Sequence, residues 1–173
     1  MESLGITFLL AVASISITFV GFSSVVVVFR QVQGNSLDAK HIFLVRFFIE
    51  MGLIVTGFSL FPLFLAIWSL PVSQVWSYSS GVFALGHFGY IVGLFRRRRR
   101  SRRSASGSFS LGRNLLLILI SIGVDASLVL NAAGWPFSPN IGPYALAIMW
   151  GLIVGCIFFV QTLSDFLEKP PQD

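Results

Sequence analysis

Three ionisable residues lie deep inside apolar runs of this 173-residue chain: Glu50, His87 and Asp125. A charged group at mid-bilayer depth costs at least a few kcal/mol, and such groups face a partner, a bundle interior or water. Arg46 precedes Glu50 by one helical turn. The two therefore share a helix face and can form an ion pair that offsets much of the desolvation of each. Ser121 stands one turn before Asp125, but no basic residue lies within a turn of it in the same segment. Asp125 must find a partner on another segment, hold a proton or touch water. His87 is the natural candidate: an imidazole beside a carboxylate either locks two helices together or passes a proton. His41, next to Lys40, reads as an ordinary residue of the membrane edge.

Other chemistries lack their residues. The single cysteine, Cys156, excludes a disulfide framework and a CxxC metal or redox pair. Retinal attachment needs a mid-helix lysine, whereas Lys40 and Lys169 lie outside the apolar runs, and a haem pair needs a second deep histidine. Ile122-Gly123-Val124-Asp125 lacks the second glycine of the Gly-x-Gly-Asp sequence of intramembrane aspartyl proteases. Ser80 and His87 are two turns apart, too far for a serine-histidine dyad on one helix. With no P-loop, HExxH or dinucleotide fingerprint either, the expectation is a protein that is not an enzyme and holds no cofactor or metal.

The elements that carry these residues follow from composition. The chain is 55% hydrophobic and 11% charged, against roughly 25% charged in soluble domains, which excludes a water-soluble fold. A spanning helix needs about 20 mostly apolar residues, and such segments fill almost the whole chain. They cover approximately 4–29, 41–69, 74–95, 114–133 and 143–166. The expected fold is an all-α, polytopic integral membrane bundle of about five transmembrane helices in one domain, placed in a plasma or inner membrane. The N-terminal segment lacks a basic n-region, and its apolar run continues to Val28, so it reads as an uncleaved first helix.

The connections alternate in charge. The segment 30–40 holds Arg30 and Lys40, 96–113 holds a run of arginines, and Lys169 lies in the tail, while 69–73 and 134–142 contain no lysine or arginine. By the positive-inside rule the N-terminus is outside and the C-terminus cytoplasmic. Trp68, Trp76, Tyr78, Trp135 and Tyr144 gather at the opposite ends, as interfacial aromatics should. Pro62, inside the second span, predicts a kink. Counted at 1.5 Å per residue, Glu50 lies roughly 15 Å from Lys40, His87 roughly 14 Å from Arg96 and Asp125 roughly 18 Å from Arg113. Thr18 and Gln161 fall at a similar level, which predicts a polar layer across the bundle.

The run Arg96, Arg97, Arg98, Arg99, Arg100, Arg102 and Arg103 adjoins the third span, where each basic side chain gains about 1 kcal/mol from an anionic leaflet. Anionic headgroups at the cytoplasmic face are the expected partner. Nucleic acid is not, because stacking aromatics are missing and residues 104–108 have flexible-linker composition. Gly89 and Gly93, and Ala147, Gly151 and Gly155, stand at close-packing spacing. Such residues join helices within one chain or between copies of a homo-oligomer. Two functional readings remain: a small oligomeric ion or proton pathway through Glu50, His87 and Asp125 with Arg46 tuning Glu50, or a structural or accessory membrane protein whose polar groups only specify packing.

Overall fold

The computed structural model describes residues 3–32, 39–101 and 111–168, and among them the chain forms five helices and no strand. These are α1 (Ser3–Val32), α2 (Ala39–Ile67), α3 (Val72–Ser101), α4 (Leu111–Ala133) and α5 (Ile141–Glu168). Four of them contain stretches long and apolar enough to cross a membrane: Gly5–Val25, Val45–Ile67, Leu116–Ala133 and Ile141–Val160. α3 has the length but is diluted by Gln74, five serines from Ser73 to Ser101, His87 and its glycines.

The elements differ from expectation at the end of α3. α2 is helical on both sides of Pro62. α3 does not stop at residue 95: Arg96, Arg97, Arg98, Arg99 and Arg100 extend it to Ser101, so the basic segment begins as helix. Arginine is a good helix former, and carbonyls beyond the apolar run can be satisfied by water. Arg102 and Arg103, and the linker at 104–108, lie outside the described residues.

Two helix ends are fixed by backbone capping. After α4, Gly134 takes φ 68°. Its N–H donates to Asn131 O at 3.2 Å and the N–H of Trp135 donates to Leu130 O at 3.1 Å, the paired bonds of a Schellman motif. After α2, Ser69 occupies the equivalent position with φ 55°, and its N–H donates to Ala66 O at 3.2 Å. A left-handed conformation costs a residue with a Cβ about 1–2 kcal/mol. Ser69→Gly is therefore expected to raise stability by about 0.5–1 kcal/mol after the added freedom of the unfolded chain is subtracted. Denaturant unfolding in detergent reads this, and an unchanged or lowered midpoint counts against it.

The chain divides into two compact units, Met1–Leu63 with Ile148–Asp173, and Phe64–Ala147. In the first, the buried faces of α1 (Leu9, Val12, Ala13, Ser16, Val20) and α2 (Phe47, Phe48, Met51, Val55, Ser59) recur at three- and four-residue intervals. Phe48 and Phe159 pack at 5.1 Å between ring centroids, with Phe19 edge-on to both, and Phe47 meets Phe158 at 4.5 Å. Glycines let these backbones approach. A Cβ on Gly151 would lie 2.9 Å from Val55 Cγ2, and one on Gly155 would lie 4.0 Å from Phe48, so these small residues of α5 pack within the chain.

A Cβ on Gly52 would overlap Val20 Cγ2, on a side chain that is stiff at χ1. Gly52→Ala gains about 1 kcal/mol of helix propensity. The overlap outweighs it, for an expected net loss of about 1–2 kcal/mol. Val20→Ala in the same chain removes the obstructing methyls and should recover most of that loss, as measured by unfolding. A loss that persists in the double variant would mean that another contact is responsible.

In the second unit α3 and α4 pack along one another. The inward face of α3 carries Val75, Trp76, Ser79, Ser80, Phe83 and Ala84, and that of α4 carries Val124, Leu128 and Asn131. Trp68, Tyr78 and Trp135 are exposed. Trp76 and Tyr144 are instead buried, 5.8 Å apart between rings, and Phe83 meets Tyr144 at 5.6 Å. They lie near the expected helix ends but on the packed faces.

Candidate functional site

The stripe on α3 recurs at 76, 80, 83 and 87, and that on α4 at 131, 128 and 125 read in the opposite direction. Ser80 pairs with Asn131, and seven residues further along α3 His87 meets Asp125, six residues back along α4. These intervals rise about 10 and 9 Å, so two antiparallel helices stay in register over both contacts. His87 Nδ1 lies 2.6 Å from Asp125 Oδ1. Both side chains are mostly enclosed, 14% and 20% exposed, and the Phe83 ring stands edge-on to the imidazole at 6.3 Å.

Either an Nδ1–H donates to the carboxylate or a protonated carboxyl donates to Nδ1. The contact is at least as short as a charge-assisted N–H···O bond, and one hydrogen lies between the two side chains. Arg46 Nε donates to Glu50 Oε1 at 2.7 Å across one turn of α2. Arg46 is mostly exposed and Glu50 about a quarter exposed.

The four residues expected to form one track therefore make two pairs, Arg46–Glu50 in the first unit and His87–Asp125 in the second. Thr18 is exposed and donates to Ser14 O on its own helix at 2.7 Å, so it adds nothing to a buried layer, and the side chain of Gln161 lies outside the described residues. Arg96 is exposed on α3. Arg97, Arg98, Arg99 and Arg100 are placed as helix backbone, their side chains outside the described residues.

Sequence reasoning missed Asn131. Its Nδ2 donates to Ser80 Oγ at 2.8 Å and to Asn140 O at 2.9 Å, while its Oδ1 accepts the Asn140 N–H at 3.1 Å. Ser77 Oγ also donates across the seam, to Ala132 O. An amide only six residues from Asp125 in an apolar helix was the available signal. Among the described residues no group of three or more His, Cys, Asp or Glu is arranged to hold a metal ion. No protein family, curated protein or solved structure matches this chain, so its chemistry is read from these side chains.

Proposed function

We propose that this chain is a five-crossing membrane protein that moves protons, with the His87–Asp125 pair as the group that holds the proton in transit. The observation that carries the reading is the 2.6 Å contact between two ionisable side chains on different helices, both largely enclosed. α3 supplies the fifth crossing: its 30 residues rise about 45 Å, more than the roughly 30 Å hydrocarbon core, and its polar residues pack on α4. The charge bias of the connections supports an outside N-terminus and a cytoplasmic C-terminus. The arginine run then meets anionic headgroups at the cytoplasmic face.

The purified protein in proteoliposomes tests the reading, with a pH-sensitive dye inside and a potassium-diffusion voltage across the membrane. Voltage-driven proton flux is expected from folded wild type, and its absence across a range of pH and voltage rejects transport. Trypsin added to one side of sealed vesicles tests orientation through the arginine run. Cleavage from the outside would reverse the proposed topology.

A second reading is favoured by Asn131, whose bonds to Ser80 and Asn140 use polar groups on the same seam purely to join segments. On that reading His87 and Asp125 also lock α3 to α4, and the protein is structural or accessory.

A further inference from the structure

We infer that the two connections at the Val72 end of the α3–α4 pair, residues 68–71 and 134–140, form a lipid-binding surface that lies inside the interfacial layer of the bilayer and does not project into water. This rests on the five-crossing reading and not on proton movement. Ser77 Oγ donates to Ala132 O, and a Cβ on Gly81 would lie 3.7 Å from Ala132 Cβ. The start of α3 therefore stands beside the end of α4, and the two turns emerge together. They and the adjoining end of α2 present Ile67, Trp68, Trp135 and Phe137, 78%, 68%, 67% and 76% exposed. No large apolar side chain described on α1, α4 or α5 is as exposed as these.

Charge, backbone and length each favour lipid as what covers them. No Asp, Glu, Lys or Arg stands between Glu50 and His87, or between Asp125 and Asp165, and aromatic and apolar side chains without charge suit the boundary between headgroups and acyl chains. Contact with lipid also requires backbone N–H groups to be met inside the chain. Pro71, Pro136 and Pro139 have none. The N–H groups of Trp68, Ser69, Gly134 and Trp135 donate to carbonyls of the preceding helix, and that of Asn140 donates to Asn131 Oδ1. In the two turns this leaves Leu70, Phe137 and Ser138 with a backbone donor for headgroup oxygens or water, few for a protein partner to use. From Val72 to Arg96 α3 rises about 36 Å, more than the roughly 30 Å hydrocarbon core and less than the roughly 40–45 Å that includes both headgroup layers. With the Val72 end in one interfacial layer, the arginine run reaches the other.

Spin labels in proteoliposomes of phosphatidylcholine and phosphatidylglycerol test this without measuring flux. In a Cys156→Ala background, Trp68→Cys and Phe137→Cys report the two turns, and Leu85→Cys, 75% exposed on α3, reports the crossing itself. Each label is relaxed by oxygen, which concentrates in lipid, and by a nickel chelate, which stays in water. Oxygen should dominate at all three positions, and the nickel effect at 68 and 137 should fall several-fold below that on a free nitroxide in water.

Nickel access at either turn, with Leu85→Cys in lipid, overturns the inference and leaves the crossing standing. An immobile label shielded from both reagents means that a protein partner or a second copy covers the turns, which also overturns it. Nickel access at Leu85→Cys rejects the crossing and takes the inference with it. The chain without added cysteines gives a second measurement. Phospholipids brominated on the acyl chains should quench its tryptophan emission, and a Trp68→Phe, Trp135→Phe variant should lose much of the quenched part. An unchanged quenched part places those two rings outside lipid and counts against the surface.

Discussion

Asparagine in place of Asp125 is expected to lower proton flux by about a hundredfold or more, the scale on which a positioned proton donor and acceptor acts, with little change in folded yield. The amide has the shape of the carboxyl group and its oxygen can still accept from His87 Nδ1, so the α3–α4 contact at this level is retained. What it cannot do is take up and release a proton. Asp125→Ala differs in that it also removes the partner of a largely enclosed imidazole, and it should lower stability by about 1–3 kcal/mol.

The coupling of the two side chains is measured by a double-mutant cycle of Asp125→Ala and His87→Ala, read by unfolding in detergent, with about 1–2 kcal/mol expected for a hydrogen bond of this kind. Flux in Asp125→Asn equal to that of wild type, at equal folded yield, would leave the pair as a helix lock. A cycle with no coupling would deny even that.

Leucine in place of Asn131 is expected to lower stability by about 2–4 kcal/mol, because it strands several buried groups at once. Ser80 Oγ and the Asn140 carbonyl lose their donor, and the Asn140 N–H loses its acceptor. The position is only 6% exposed, so water replaces little of this. Asn140 belongs to the connection between α4 and α5 and caps the following turn through Gly142 N–H, which donates to its Oδ1 at 2.9 Å. Loosening it should therefore also increase proteolysis of the 134–140 segment.

Combining Asn131→Leu with Ser80→Ala should cost less than the sum of the two single changes, since the second removes a group that the first left without its donor. A stability within about 0.5 kcal/mol of wild type for Asn131→Leu, the range of an ordinary surface change, would show that the network is incidental.

How much was legible before the structure depended on how far along the chain an interaction reached. Arg46 and Glu50 pair as their spacing demands, because four residues on one helix fix both separation and face. His87 and Asp125 were legible only as neighbours in depth. Counting residues from a helix end gives a coordinate along the axis, but the rotation of α3 against α4 is set by how Ser80, Phe83, Leu128 and Asn131 interlock, and that alone turns the two side chains toward each other. The same gap explains the aromatics. Trp76 and Tyr144 lie near the ends where Trp68, Tyr78 and Trp135 also lie, and composition at a given depth does not distinguish a lipid-facing ring from one packed on Phe83.

The end of α3 was misjudged for another reason. Hydropathy marks where an apolar run stops, whereas a helix stops where its backbone does, and arginine continues it to Ser101. Composition and local spacing by themselves determined an all-helical chain with membrane-length apolar segments, the short-range ion pair and the separation of basic from uncharged connections, because each depends on residues within a few turns of one another. Only the tertiary structure decided which deep polar groups meet, that Gly52 and Gly151 serve contacts inside the chain, and that Phe83 stands between His87 and Ser80. These depend on the azimuth and spacing of packed helices, which no single segment encodes.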